Sequence, residues 1–169
     1  MSASLADQAH PLAIALGANL PSSTGVPRQT LIAVRPLLEQ LVTTWAGTGA
    51  GEIRCSWSPL LETIPVGGPP RQPLYCNAVV VFNALQRPAS ETAALELLTK
   101  LHQLERCFGR DRRQELPWGP RSLDLDLLFW GEWRLDHPRL VLPHPRLHLR
   151  AFVLEPLLAA MQRSENWLA

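Results

Sequence analysis

The chain has 169 residues, is 46% hydrophobic and 18% charged, and carries a formal net charge of +1. A chain of this size buries enough surface to fold without a metal or disulfide staple, so residues 12–169 read as a single domain behind a loose leader over 1–11. The near-neutral charge argues against binding nucleic acid or a membrane by bulk charge, and no apolar run approaches the about 18 residues that a bilayer span needs.

The leader lacks the basic and apolar stretches of a signal peptide. Cys55, Cys76 and Cys107 are far apart and show no CxxC spacing, which fits a reducing compartment. A cytoplasmic protein is therefore expected, and nothing demands more than a monomer.

Leu12–Gly17 is a short apolar run ending in glycine and reads as a buried strand. A Pro/Ser/Gly-rich loop over Asn19–Pro27 follows. Pro27 suits a first helical position, and Leu31, Val34, Leu38 and Leu41 give a helical stripe to about Val42. Pro36 removes a hydrogen bond inside it and predicts a kink. Glu52–Glu62 reads as a strand bent near Ser58-Pro59, and Val66–Pro73 as a loop. Tyr75–Leu85, rich in valine and flanked by proline, is the strongest strand.

Ser90 is positioned to cap a helix running to about Phe108, with Ala94, Leu97, Leu98, Leu101 and Leu104 on one face and Gly109 ending it. After a charged loop, Leu123–Trp130 is a strand. Gly131-Glu132 turns it into a short return at Trp133–Leu135. Residues 137–150 read as irregular, and Phe152–Met161 as a short last helix. The order β-α-β-β-α-β predicts an α+β, ferredoxin-like antiparallel sheet with helices packed on one face, plus a C-terminal hairpin and short helix.

Asp124 and Asp126 carry the chemistry. On a strand they share one face, with Cα atoms about 6.5–7 Å apart, while Leu123, Leu125 and Leu127 take the other. Two unpaired carboxylates repel, and magnesium removes the repulsion. Two solvated residues on an exposed strand would also fit the pattern, although aspartate is depleted in strands. The neighbourhood favours a cation: Arg106, Arg110, Arg112, Arg113 and Arg121 place five of the 15 arginines within 16 residues. Metal and guanidinium groups together suit a polyphosphate.

Glu105 falls close to the leucine stripe of its helix, so it needs a partner, with Arg110, Arg112 or Arg121 as candidates. His102 shares that face. No P-loop, dinucleotide-binding glycine motif, nucleophile elbow or HExxH occurs, and Pro145 spoils His144 and His148 as a zinc pair.

These residues resemble one family, 6-hydroxymethyl-7,8-dihydropterin pyrophosphokinase of folate synthesis. The specific stretch is Gly109-Arg110-Asp111-Arg112, Trp118-Gly119-Pro120-Arg121 and Asp124-Leu125-Asp126-Leu127-Leu128. Leu16-Gly17-Ala18-Asn19, Tyr75-Cys76-Asn77-Ala78, Leu142-Pro143-His144 and Arg150-Ala151-Phe152 support it. Between Arg112 and Trp118 the chain is one residue longer than compact members.

The resemblance implies transfer of pyrophosphate from ATP to the pterin hydroxymethyl group. Two Mg2+ ions would sit on Asp124 and Asp126, with Arg110 and Arg112 on the phosphates as further catalytic groups. It puts His102, Glu105, Trp118, Arg121, Leu127, His144 and Arg150 on the ATP side. Tyr75 and Phe152 would sandwich the pterin, with Thr63, Val66, Asn77 and Asp124 around it. Asp126 is also a candidate to help deprotonate the hydroxyl. A functional hand-off to dihydropteroate synthase is implied as the partner step. The rival readings are an RNA-binding module and a dead relative kept as an interaction partner. The Asp pair and net charge oppose the first, and the retained acids and arginines oppose the second.

Overall fold

A computed structural model describes residues 10–47, 53–85 and 87–165. Its elements are β1 (His10–Ala18), α1 (Pro27–Ala46), β2 (Arg54–Trp57), β3 (Leu61–Thr63), β4 (Tyr75–Leu85), α2 (Glu91–Cys107), β5 (Asp124–Trp130), β6 (Leu135–His137), β7 (Leu140–Leu142) and α3 (Ala151–Glu165). β1 starts at His10, so the last two residues of the expected leader belong to the sheet, and residues 1–9 lie outside those described.

The strand order is β2-β4-β1-β5, with β3 also on β4, and every pairing is antiparallel. This is the ferredoxin-like arrangement expected. The second strand is broken as its Ser58-Pro59 suggested, and β4 has the bounds expected of it. α1 runs four residues past Val42 and is continuous through Pro36. α2 is capped as expected: the Ser90 hydroxyl accepts a hydrogen bond from the Ala93 amide, and Gly109 leaves the helix at φ 87°.

The sheet has two covered faces: the two helices of the β-α-β-β-α-β core lie together on one face as expected, and the extra C-terminal helix covers the other. The main core joins α1 and α2 to one face through Leu31, Val34, Leu97, Leu101, Leu125 and Leu127. A smaller core lies on the other face, where Val153, Leu157 and Ala160 of α3 pack on Ala13, Ala15, Val79, Val81 and Leu128. The small alanines of β1 let α3 approach closely. α3 is also 15 residues long rather than the short helix expected.

The C-terminal hairpin differs as well. Only Trp133 bridges back to β5, at Trp130. The hairpin proper pairs β6 with β7, Leu135 opposite Leu142, so it begins at the last residue of the expected return and places β7 in the stretch expected to be irregular. Leu135, Leu140 and Leu142 are buried, and that apolar pull orders a segment rich in Pro, His and Arg.

α3 covers only part of its face. Beyond it, Gly17, the penultimate residue of β1, lies opposite Asn77 of β4 on one side and Asp124 of β5 on the other. Gly17 keeps the floor between those side chains open, since a Cβ there would stand 3.3 Å from Asn77 Oδ1. The fold thus leaves a mainly apolar recess with a few polar groups where the covering helix stops. Replacing the α2 cap, Ser90→Ala, is expected to lower stability by about 1 kcal/mol in urea denaturation.

Candidate functional site

Glu105 organises the charged part of the site. It is fully buried in the last turn of α2. Its Oε1 accepts hydrogen bonds from Arg110 Nη1 at 2.8 Å and from the Leu125 amide at 2.8 Å. Its Oε2 accepts from Arg112 Nη2 at 2.7 Å and Nε at 3.1 Å. One carboxylate therefore ties α2 to β5 and aims two arginines. Burial pushes its acid group up, while Arg110 and Arg112 pull it back.

Arg110 is buried with it. Its Nη1 also donates to Asp124 Oδ1 at 2.5 Å and the Leu123 carbonyl at 3.2 Å, and its Nε and Nη2 go to Glu115. Arg121 Nη1 reaches Asp124 Oδ2 at 3.2 Å. The Arg121 amide donates to Asn19 Oδ1, and its carbonyl accepts from the amides of Asn19 and Leu20. These bonds fix the start of the Arg121–Asp124 segment to the end of β1.

Asp126 is less well served, with Arg150 Nη1 at 3.5 Å and His144 Nε2 at 4.0 Å. The two acids consequently differ. Burial raises Asp124, but Arg110 and Arg121 outweigh it and hold the group below the usual carboxylate range. Asp126 is pushed up to about 7 by burial and by the charge on Asp124. Among the described residues no three His, Cys, Asp or Glu side chains converge as a ligand cluster, and Asp124 and Asp126 are the two carboxylates that project together from β5.

Beside the acids lies a pocket of about 550 Å³. Its walls bring together all six residues expected around the pterin: Thr63, Val66, Tyr75, Asn77, Asp124 and Phe152. Tyr75 is held by its hydroxyl on the Gly119 carbonyl at 3.0 Å, and Asn77 Nδ2 donates to Thr63 Oγ1 at 2.8 Å. Phe152 stands at the start of α3, where that helix's cover ends.

Of the residues expected on the ATP side, Trp118, Arg121 and Arg150 line this same pocket, as does Asp126. Trp118 closes its mouth: Arg146 stacks on the indole at 4.1 Å, and Gln72 Nε2 donates to the carbonyls of both Gly67 and Trp118. Gly68 is required there, because it adopts φ 77° and a Cβ would fall 2.1 Å from the Trp118 carbonyl oxygen.

His102, Glu105, Arg110, Arg112, Leu127 and His144 lie outside the pocket wall. Five of these border the ion cluster or its arginines, and the side chain of Leu127 is packed in the main core beside Leu125. His102 is half-buried, and burial together with Arg112 and Arg110 drives it down to about 4.

Asn19, Arg146 and Glu115 have parts in this site that the sequence did not assign. Asn19 stands in a segment that carries the resemblance, and that was its available signal. Glu115 sits in the charged loop and Arg146 in the stretch expected to be irregular, and no motif singled out either residue.

A family model described as 7,8-dihydro-6-hydroxymethylpterin-pyrophosphokinase matches residues 13–162. The chain belongs to this pyrophosphokinase family. It is 39% identical over 144 residues to a 2-amino-4-hydroxy-6-hydroxymethyldihydropteridine pyrophosphokinase of Pseudomonas aeruginosa, covering 85% of this chain and 76% of the relative. A protein of the same description from Haemophilus influenzae is 35% identical over 144 residues, covering 85% and 77%. The mitochondrial folate synthesis bifunctional protein of Arabidopsis thaliana is 42% identical over 98 residues, which is 58% of this chain and 16% of that larger protein. No helix among the described residues is long and apolar enough to cross a membrane.

Two outcomes follow from the buried cluster. Glu105→Ala leaves the buried Leu125 amide unpaired and takes one carboxylate from Arg110, which keeps Asp124 and Glu115, and is expected to cost about 1–3 kcal/mol in chemical denaturation. His102 ionises more readily unfolded, at its ordinary 6.5, than folded, at about 4. Its contribution to stability is therefore full above pH 6.5 and is lost as pH falls toward 4. Thermal melts across that range are expected to show a shallower acid-side decline in His102→Gln than in the parent.

Proposed function

We propose that this chain transfers the terminal pyrophosphoryl group of ATP to the hydroxymethyl group of 6-hydroxymethyl-7,8-dihydropterin, giving AMP and the pterin diphosphate for folate synthesis. The observation that supports this best is the adjacency of an aromatic-walled pocket to a paired carboxylate: Tyr75, Asn77, Phe152, Asp124 and Asp126 line a single recess.

A flat heterocycle suits a slot with two aromatic walls and a few fixed polar groups. Tyr75 and Phe152 are assigned the ring faces. Thr63 and Asn77, already hydrogen-bonded to each other, are assigned its polar edge, and Val66 an apolar contact. That pose directs the substrate hydroxymethyl group toward Asp124 and Asp126.

The acids fit magnesium. They project together from β5, and Asp126 is pushed up to about 7 by burial first and by repulsion from Asp124 second, both of which a bound dication would offset. We assign two Mg2+ ions to Asp124 and Asp126. When bound, they would neutralise phosphate charge and make the accepting hydroxyl more acidic.

The chain's own residues supply the rest. Arg112 bonds Glu105 through Nε and Nη2, Arg121 bonds the Gly119 carbonyl and Asp124 through Nε and Nη1, and Arg150 reaches Asp126 only at 3.5 Å, so all three are assigned to phosphate oxygens. His144 Nδ1 accepts from the Arg146 amide, which leaves the neutral ring's proton on Nε2, facing the Asp126 side. It thus donates to an oxygen there. Asp126, the less neutralised acid, is assigned to take the hydroxyl proton.

Positioning and charge neutralisation carry most of such a transfer. We also assign the protein to the cytoplasm, in keeping with three free thiols at Cys55, Cys76 and Cys107. The fused arrangement of the Arabidopsis relative supports a hand-off to a neighbouring folate enzyme such as dihydropteroate synthase.

Purified protein given ATP, Mg2+ and the pterin is expected to form AMP and pterin diphosphate in equal amounts by mass spectrometry, and none without Mg2+. Asp124→Ala and Asp126→Ala should each lose at least about a hundredfold in rate. ADP as the nucleotide product, or full turnover with EDTA, would refute the assignment.

A further inference from the structure

Glu115 is a charged side chain that the proposed reaction does not use. It stands in the 110–120 loop, outside any helix or strand. Both of its oxygens go to Arg110, Oε1 to Nε at 2.5 Å and Oε2 to Nη2 at 3.0 Å. This is the parallel two-point grip that a guanidinium fork offers a carboxylate or a phosphate alike.

The opposite side of the same guanidinium is committed elsewhere. Nη1 serves Glu105, Asp124 and the Leu123 carbonyl. The Arg110 side chain is only 3% accessible, whereas that of Glu115 is 20% accessible. Glu115 is thus the cover on the Nε/Nη2 edge.

The charge balance gives that cover a meaning. Four guanidinium groups, on Arg110, Arg112, Arg121 and Arg150, meet four carboxylates, on Glu105, Glu115, Asp124 and Asp126. Three of those acids are fixed by a helix or strand. Only Glu115 rides on a loop, so it alone can leave without moving an element of the fold. Its departure bares one guanidinium edge and leaves the cluster one positive charge in excess, which is what an arriving phosphate requires.

We propose that Glu115 is an internal stand-in for phosphate: it occupies the Nε/Nη2 edge of Arg110 in the nucleotide-free protein, and a phosphate group of the nucleotide displaces it. The proposal rests on the reading of the chain as an ATP-using pyrophosphokinase. Glu115 then acts as a built-in competitor that weakens nucleotide binding and keeps a buried arginine compensated until substrate arrives.

The test is calorimetric titration of the full chain with α,β-methylene-ATP and Mg2+. Glu115→Gln, which removes the charge, and Glu115→Asp, which is too short for the two-point grip, should each bind about tenfold more tightly, the scale of one charge-assisted bond no longer displaced. Asp111→Asn is the control for bulk charge: Asp111 lies on the same loop, bonded to the 89% accessible Arg113, and its removal should leave affinity within about twofold. Affinity for the pterin alone should be unchanged in all three.

Unchanged or weaker nucleotide binding in the Glu115 variants would overturn the proposal, as would an equal gain in Asp111→Asn. If Glu115→Gln fails to fold, Glu115→Asp carries the same test. Absence of nucleotide binding in the parent and the variants alike would overturn the functional reading as well, whereas binding by the parent with no gain in the variants overturns the role of Glu115 alone.

Discussion

The buried carboxylate of Glu105 is the constraint on which the rest depends. A charge with no solvent around it must be fully compensated or it will not stay ionised. Here it is compensated by two guanidinium groups and one backbone amide, and each bond has a consequence. The Leu125 amide locks the strand that bears the two aspartates to the end of α2, while Arg110 and Arg112 are drawn to the edge of the recess. The acidic pair and the basic loop are therefore parts of one network, and neither would hold its position without the helix that presents Glu105.

The sheet provides the complementary constraint. Its two faces are used differently: one is sealed by two helices, the other is covered by α3 only as far as Phe152. The open remainder contains Asn77, Gly17 and Asp124 side by side on adjacent strands. The recess therefore has a rigid floor of three paired strands. Its aromatic walls come from the start of β4 and the start of α3, and its mouth is closed by Trp118 under Arg146. A rigid floor with a loop-built mouth suits a flat substrate that must be held while a polyphosphate is aligned above it.

Much of this was legible in the residues. Valine repetition between prolines marked β4 at both ends, Ser90 marked the α2 cap, and period-two alternation put the aspartates on one face with the leucines on the other. The closeness of Glu105 to the leucine stripe announced a buried acid and two of its three candidate partners. What could not be read was tertiary. Periodicity shows which side of α3 is apolar but not which face of the sheet it covers. The β6–β7 hairpin forms because three leucines find the core, against the local cost of its Pro, His and Arg neighbours. Arg110 was legible as a candidate partner of Glu105, but its near-complete burial and its further bonds to Asp124 and Glu115 were not.

The central claim is that the acids on β5 and the aromatic pair form one site for two substrates. A crystal structure with 6-hydroxymethylpterin, α,β-methylene-ATP and Mg2+ tests it directly. The pterin ring is expected between Tyr75 and Phe152, with metal density joining Asp124 and Asp126 to the phosphates. A pterin bound elsewhere, or Asp124 still engaged by Arg110 and Arg121 with no metal beside it, would contradict it.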